Sequence, residues 1–181
     1  KHPIIKAILS NYDNSKSFFE ITSMADIPKG TGLGSSSSFT VGLLSSIKKY
    51  NNEKYTKTSL AEKACEIEIN QLGGPIGKQD QYAAATGGIK LLEFKKNGKV
   101  IINKLSNEIG TSILNNIYCI YTNKQRSASK VLNCQKNNIE SKKDLNENLK
   151  LMVDLTYELY EKINAGFIDV LPIYLKRNWE L

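Results

Sequence analysis

The stretch from Asp26 to Leu44 reads DIPKGTGLGSSSSFTVGLL. Glycines at 30, 32 and 34 leave bare backbone at every second place, and four serines follow. Phe39, Leu43, Leu44 and Ile47 then recur at helical spacing, which predicts a helix from Ser35 to about Tyr50, capped by Ser35 or a neighbour. Glycine adopts positive φ without steric cost and lets a ligand approach the main chain. Successive N–H groups in such a loop converge on oxyanions, and a following helix adds its free N–H groups and positive end. The serines supply hydroxyls that hydrogen-bond a phosphate or ligate a phosphate-bound Mg²⁺. A flexible turn with a serine cap is the competing reading. Two familiar phosphate loops are excluded. Gly34 is followed by Ser35 rather than by Lys-Ser or Lys-Thr, and the glycine spacing is GxGxG rather than GxGxxG.

A second string, CEIEINQLGGPIGKQDQYAAATGG, spans Cys65 to Gly88. Glu68 falls near a predicted helix end, and Asp80 follows twelve residues later, after a Gly/Pro break. A phosphotransferase needs about this pair: one carboxylate to hold Mg²⁺ on the phosphates, another beside the attacking hydroxyl. Two acidic side chains on a helix and beside a turn are, taken alone, more often solvated. Lys78 either lowers the pKa of Asp80 or is itself solvated.

PKGTGLGSSSS resembles the second characteristic motif of the GHMP kinases, P-x-x-x-G-L-G-S-S-A, with Ser38 where alanine is common. The resemblance implies an ATP triphosphate wrapped by Lys29, Gly30, Thr31, Gly32, Leu33, Gly34, Ser35, Ser36 and Ser37. The run E…GxxxGxxDQ resembles the family's acidic region. It implies Mg²⁺ on Glu68 and Ser36, and a catalytic contact between Asp80 and the reacting hydroxyl. Ser35 and Ser37 are left for phosphate or helix capping, and Ser38 for packing. GGPIGKQDQYAAATGG together with YTNKQRSAS is most similar to the branch acting on D-glycero-D-manno-heptose 7-phosphate. That likeness implies phosphorylation of the anomeric hydroxyl to a 1,7-bisphosphate for nucleotide-heptose and surface glycan synthesis. Galactokinase- or fucokinase-like activity and a non-catalytic ATP-binding relative are the alternatives. Arg126 either meets the sugar phosphate or caps a strand–helix turn at the surface. Asn123 and Lys124 depart from the glycine and β-branched residue expected in that loop.

Elsewhere Pro3 suits the first turn of a short helix, and SFFEITSMAD has strand character. Thr58 or Ser59 is expected to cap a helix running to about Leu72. GGIKLLEF and VIINKL form strands joined through Asn97-Gly98, a strong hairpin signal, and IYCIYT is expected to be a buried strand. SASKVLNCQKN, DLNENLKLMVDLTYELYEKI and IDVLPIYLKRNWEL read as helices, with Gly166 ending the second and Pro172 opening a new one. The fold class is α+β: a mixed sheet layered with helices, then a mostly helical C-terminal part. Residues 1–125 are expected to form a GHMP kinase N-terminal domain and 126–181 the start of a helical domain. The family's first motif and its late glycine-rich motif are not found. The sequence also has no initiator Met or signal peptide, so it reads as the central part of a longer chain, inactive alone.

Composition narrows the partners. The net charge of +7 comes from dispersed lysines without interleaved aromatics, which argues against nucleic acid and leaves a weak field for a phosphorylated small molecule. No apolar run nears the roughly 20 residues of a membrane helix. Cys65, Cys119 and Cys134 lack metal or disulfide spacing and read as reduced thiols of a cytoplasmic protein, Cys65 and Cys119 facing the core. Trp179, the single Trp, reads as packing rather than base stacking.

Overall fold

The computed structural model describes residues 2–12, 20–26, 30–122, 132 and 143–181. The described residues up to Gly87 pack as one compact unit, and residues 88–121 with 143–181 as a second.

The first unit is helical. Pro3 starts α1 (Pro3–Leu9), as its fixed φ favours, and Ile4 and Ile8 bury one face. α2 (Ser35–Tyr50) follows the glycine loop; its cap position is Gly34 in the left-handed region, not Ser35. α3 (Lys57–Cys65) is capped by Thr56 rather than by Thr58 or Ser59. Thr56 and Ser59 exchange side-chain bonds with each other's backbone N–H, each at 3.0 Å, which satisfies two orphan donors reciprocally. Its continuation, Glu66–Gln71, widens into a π-helical turn, closed by Leu72 N–H donating to the Ile67 carbonyl at 3.0 Å. α4 (Gln79–Thr86) follows the Gly/Pro break and ends at Gly87.

α2, α3 and α4 pack against one another. Val41, Leu44, Ile47, Leu60, Ala64 and Ile67 meet Ile4 and Ile8 in the core. Burial of a side chain such as Leu44 contributes about 1.5–3 kcal/mol. The buried stripe of α2 changes character along the helix: Ser37 and Thr40 near the loop, then Val41, Leu44 and Ile47. Thr40 Oγ1 is satisfied by donating to the Ser36 carbonyl at 3.0 Å. The loop end of α2 is therefore a polar layer lying on an apolar floor.

The second unit holds an antiparallel hairpin of β1 (Lys90–Phe94) and β2 (Val100–Lys104), with Lys90 opposite Lys104 and Phe94 opposite Val100. Gly98, at φ 82°, makes the turn at the Asn97-Gly98 signal. α5 (Asn107–Asn115), absent from the sequence expectations, starts at Ser106, whose hydroxyl accepts from Ile109 N–H at 3.3 Å. α6 (Lys143–Asn164) ends before Gly166, at φ 93°. A 3₁₀ turn (Ile168–Val170) leads into α7 (Leu171–Glu180), opened by Pro172 as expected. Leu105, Ile113 and Ile163 form this unit's core. Tyr174 donates to Glu158, with the Arg177 guanidinium 5.4 Å from its ring centroid.

The architecture is α+β, and four local expectations are corrected. Residues 117–122 of IYCIYT are not a buried strand: they run without pairing, with Tyr118 and Ile120 among the most exposed apolar residues. Cys119 is exposed with them, whereas Cys65 is buried as expected. Residues 20–26 of the earlier segment likewise form no strand. A β-prone run becomes a strand only when a neighbour pairs with it, and no other described segment does. Trp179 is 90% exposed and packs no core. All of SASKVLNCQKN except Leu132, Cys134 included, lies outside the described residues.

Candidate functional site

The glycine loop is built as its sequence requires. Gly30, Gly32 and Gly34 all take positive φ, at 85°, 78° and 68°. A loop of alternating left-handed residues turns successive N–H groups to one side. The helical bonds of α2 begin with Ser38 N–H donating to the Gly34 carbonyl at 2.9 Å, and no side chain caps the turn before it. The first-turn N–H groups and the helix's positive end are thus open to an anion. Thr31 Oγ1 is buried without a hydrogen-bond partner among the described residues, a hydroxyl that a phosphate oxygen would satisfy.

Glu68 enters from the π-helical turn and is 4% exposed. A buried carboxylate needs donors, and it has three. Ser36 Oγ donates to Oε1 at 2.5 Å, Ser37 Oγ to Oε2 at 2.8 Å, and Gln81 Nε2 to Oε2 at 2.7 Å. The backbone is held as tightly: Gly74 N–H donates to the Glu68 carbonyl at 3.0 Å, and a Cβ on Gly74 would lie 2.8 Å from that oxygen. Ser36 Oγ and Glu68 Oε1 are the oxygen pair able to take a hard cation. Among the described residues no group of three His, Cys, Asp or Glu side chains is placed to bind a metal. A cation here would complete its shell with phosphate oxygens and water, the habit of Mg²⁺.

Asp80 stands in the first turn of α4, where a carboxylate is favoured by the helix dipole. Its Cγ and Oδ2 lie 3.3 Å from where a Cβ on Gly34 would be, so the carboxyl group rests against the loop's last glycine. Asp80 is exposed, and Lys78 near it is exposed as well. The charge of Lys78 is felt at the Cys65 thiol, where it opposes burial; burial prevails and pushes that thiol up to about 11.

Of the residues singled out in the sequence, Gly34, Ser36, Ser37, Glu68 and Asp80 come together at the loop end of α2. Gly30, Thr31 and Gly32 precede it in the loop, Leu33 is exposed, and Ser35 begins the helix. Lys29 and Arg126 lie outside the described residues. Gln81 was missed. Its one sequence signal was its place beside Asp80, since a glutamine in a helix has no chemistry that marks it.

A glycine nest, a helix N-terminus and a serine-bound carboxylate thus lie together, and residues 3–88 match the family model of the GHMP kinases N terminal domain. This part of the chain is a GHMP kinase N-terminal domain. Its relatives are more particular. A curated D-glycero-alpha-D-manno-heptose 7-phosphate kinase from Campylobacter jejuni subsp. jejuni serotype O:2 is 31% identical over 178 residues, covering 97% of this chain and 52% of the relative. The chain thus spans about half the length of the curated relative it matches. Among solved structures, a D-glycero-D-manno-heptose 1-phosphate kinase from Bacteroides thetaiotaomicron is 36% identical at a TM-score of 0.55, over 60% of this chain and 38% of that one. A Campylobacter jejuni protein described as a sugar kinase is 26% identical at a TM-score of 0.57, over 86% and 44% of the two chains.

Proposed function

We propose that the intact protein is an ATP-dependent sugar kinase. It transfers the γ-phosphoryl group to the anomeric hydroxyl of D-glycero-D-manno-heptose 7-phosphate, giving the 1,7-bisphosphate for nucleotide-heptose and surface glycan synthesis. The observation that carries this reading is the convergence of Ser36 and Glu68 with Gly34 and Asp80 at one helix end. The N–H groups of the loop bind the triphosphate, and the Thr31 hydroxyl adds a hydrogen bond. Ser36 and Glu68 hold Mg²⁺, which when bound neutralises charge on the β- and γ-phosphates. Asp80 takes the proton of the anomeric hydroxyl as the new O–P bond forms, and the bond to the β–γ bridging oxygen breaks to release ADP. Arg126, whose guanidinium suits a phosphate, is assigned to the 7-phosphate. Cytoplasmic residence suits ATP as donor and the unpaired thiols of Cys65 and Cys119; among the described residues no helix is long and apolar enough to cross a membrane.

The two named heptose kinases among the relatives differ in which phosphate their names carry. The test therefore uses a panel. ADP release by the intact protein is followed with heptose 7-phosphate, heptose 1-phosphate, free heptose, galactose and fucose, with phosphorus NMR of the product. The expected outcome is acceleration by heptose 7-phosphate and a new anomeric phosphate signal. No acceleration by any sugar, with an ATP analogue still bound, would leave the nucleotide site and remove the kinase.

A further inference from the structure

Glu68 is bonded asymmetrically. Among the described residues its Oε2 accepts from both Ser37 Oγ and Gln81 Nε2, at 2.8 and 2.7 Å, whereas Oε1 accepts only from Ser36 Oγ, at 2.5 Å. A carboxylate has about two acceptor positions on each oxygen, so Oε2 is filled and Oε1 keeps one open. Burial follows the same division. Ser37 and Gln81 are 2% and 0% exposed, while Ser36 faces solvent.

The Gln81 amide is itself held against preference. Its Oε1 is buried with no partner among the described residues. A half-turn of the amide would set that oxygen against Glu68 Oε2, acceptor against acceptor, so the carboxylate dictates which end of the amide it meets. Asp80 and Gln81 are consecutive in α4, about 100° apart around the helix axis. The exposed residue faces the loop and the buried one reaches Glu68, so a single turn of α4 orients both carboxylates.

We infer that Gln81 is a positioning residue for the cation site: with Ser37 it ties down Oε2 of Glu68 and turns Oε1, beside the Ser36 hydroxyl, toward the metal. This rests on the reading of Glu68 as a Mg²⁺ ligand. Gln81 touches neither cation nor sugar and acts through Glu68.

The test is Mn²⁺ binding to the intact protein with a non-hydrolysable ATP analogue, read by electron paramagnetic resonance. Analogue affinity without metal is measured alongside. Gln81→Met keeps the length and volume of the side chain and removes the donor. It is expected to weaken Mn²⁺ binding about tenfold, the lower range for outer-shell partners, with metal-free analogue affinity changed less than about twofold. Ser37→Ala should shift Mn²⁺ binding in the same direction, and it decides the matter if Gln81→Met does not fold. Wild-type Mn²⁺ affinity in the folded variant, with Glu68→Gln impaired, would overturn the role of Gln81 and leave the metal site standing. Wild-type affinity in Glu68→Gln would remove the metal-site reading and this inference with it.

Discussion

The Asp80 carboxyl group lies against Gly34 so closely that a Cβ on the glycine would come 3.3 Å from both Cγ and Oδ2. Gly34 is thus required twice, for its φ of 68° and for the space that Asp80 occupies. Gly34→Ala should lose about 1–2 kcal/mol of stability to left-handed strain and also displace Asp80. Gly32→Ala meets the same strain at φ 78° but finds open space. Thermal unfolding should therefore rank the two variants together, while turnover separates them, with Gly34→Ala the slower. Equal turnover in the two would show that the contact does not position Asp80.

Asp80→Asn keeps the shape of the side chain and removes its basicity. Turnover of the intact protein should fall about 10²–10⁴-fold, the range for a lost general base. Binding of an ATP analogue should persist, since the loop and the α2 N-terminus are untouched. Near-wild-type turnover in a folded variant would exclude a proton-accepting role.

Gly74→Ala would press a methyl group to 2.8 Å from the Glu68 carbonyl oxygen, whereas Gly73, at φ 65°, has open space around its Cβ position. Gly74→Ala should raise the Mg²⁺ concentration for half-maximal turnover, because the backbone carrying the carboxylate must move. Gly73→Ala should lower the melting temperature and leave the Mg²⁺ requirement near wild type. A Mg²⁺ titration of the two variants distinguishes strain from displacement.

Cys65 is held as a neutral thiol by burial, its pKa pushed from 9.0 up to about 11. At pH 8 its thiolate fraction is about 100-fold below that of an ordinary thiol, so in a Cys134→Ser background Cys119 should react with a thiol reagent long before Cys65. The same shift links to stability. An unfolded thiol loses its proton near pH 9 and the native one near 11, so the native state binds more protons between them. Stability should fall as pH rises through that window, and Cys65→Ala should remove that part of the fall in a denaturation series.

How much could be read from the chain depended on whether the signal was local. Asn97-Gly98 and Pro3 act through their own backbone preferences, and the hairpin and α1 are where those residues put them. The glycine loop was legible for the same reason: each of its three left-handed residues is a glycine. Glu68 and Asp80 were legible as chemistry, but not their distinct settings, one buried under serines and the other resting on a glycine. Gln81 was not legible because its importance lies wholly in a contact thirteen residues away. IYCIYT misled because a β-prone run becomes a strand only if a partner is present, a non-local condition. α5 was overlooked although Ser106 and the Ile109/Ile113 spacing announced it.

The π-helical turn has its own consequence. Ile67 and Glu68 are adjacent, yet the first closes the apolar core and the second reaches the serines of α2. A turn closed by i→i+5 bonds contains one residue more than an α-helical turn. Deleting one residue between Glu66 and Gln71 would let the segment close as regular α-helix and rotate everything on one side of the cut by about 100°. The shortened protein would be the more regular one, and its carboxylate would point elsewhere. A lineage carrying this domain is thus one codon away from losing the bonds between Glu68 and the serines of α2 while keeping its scaffold.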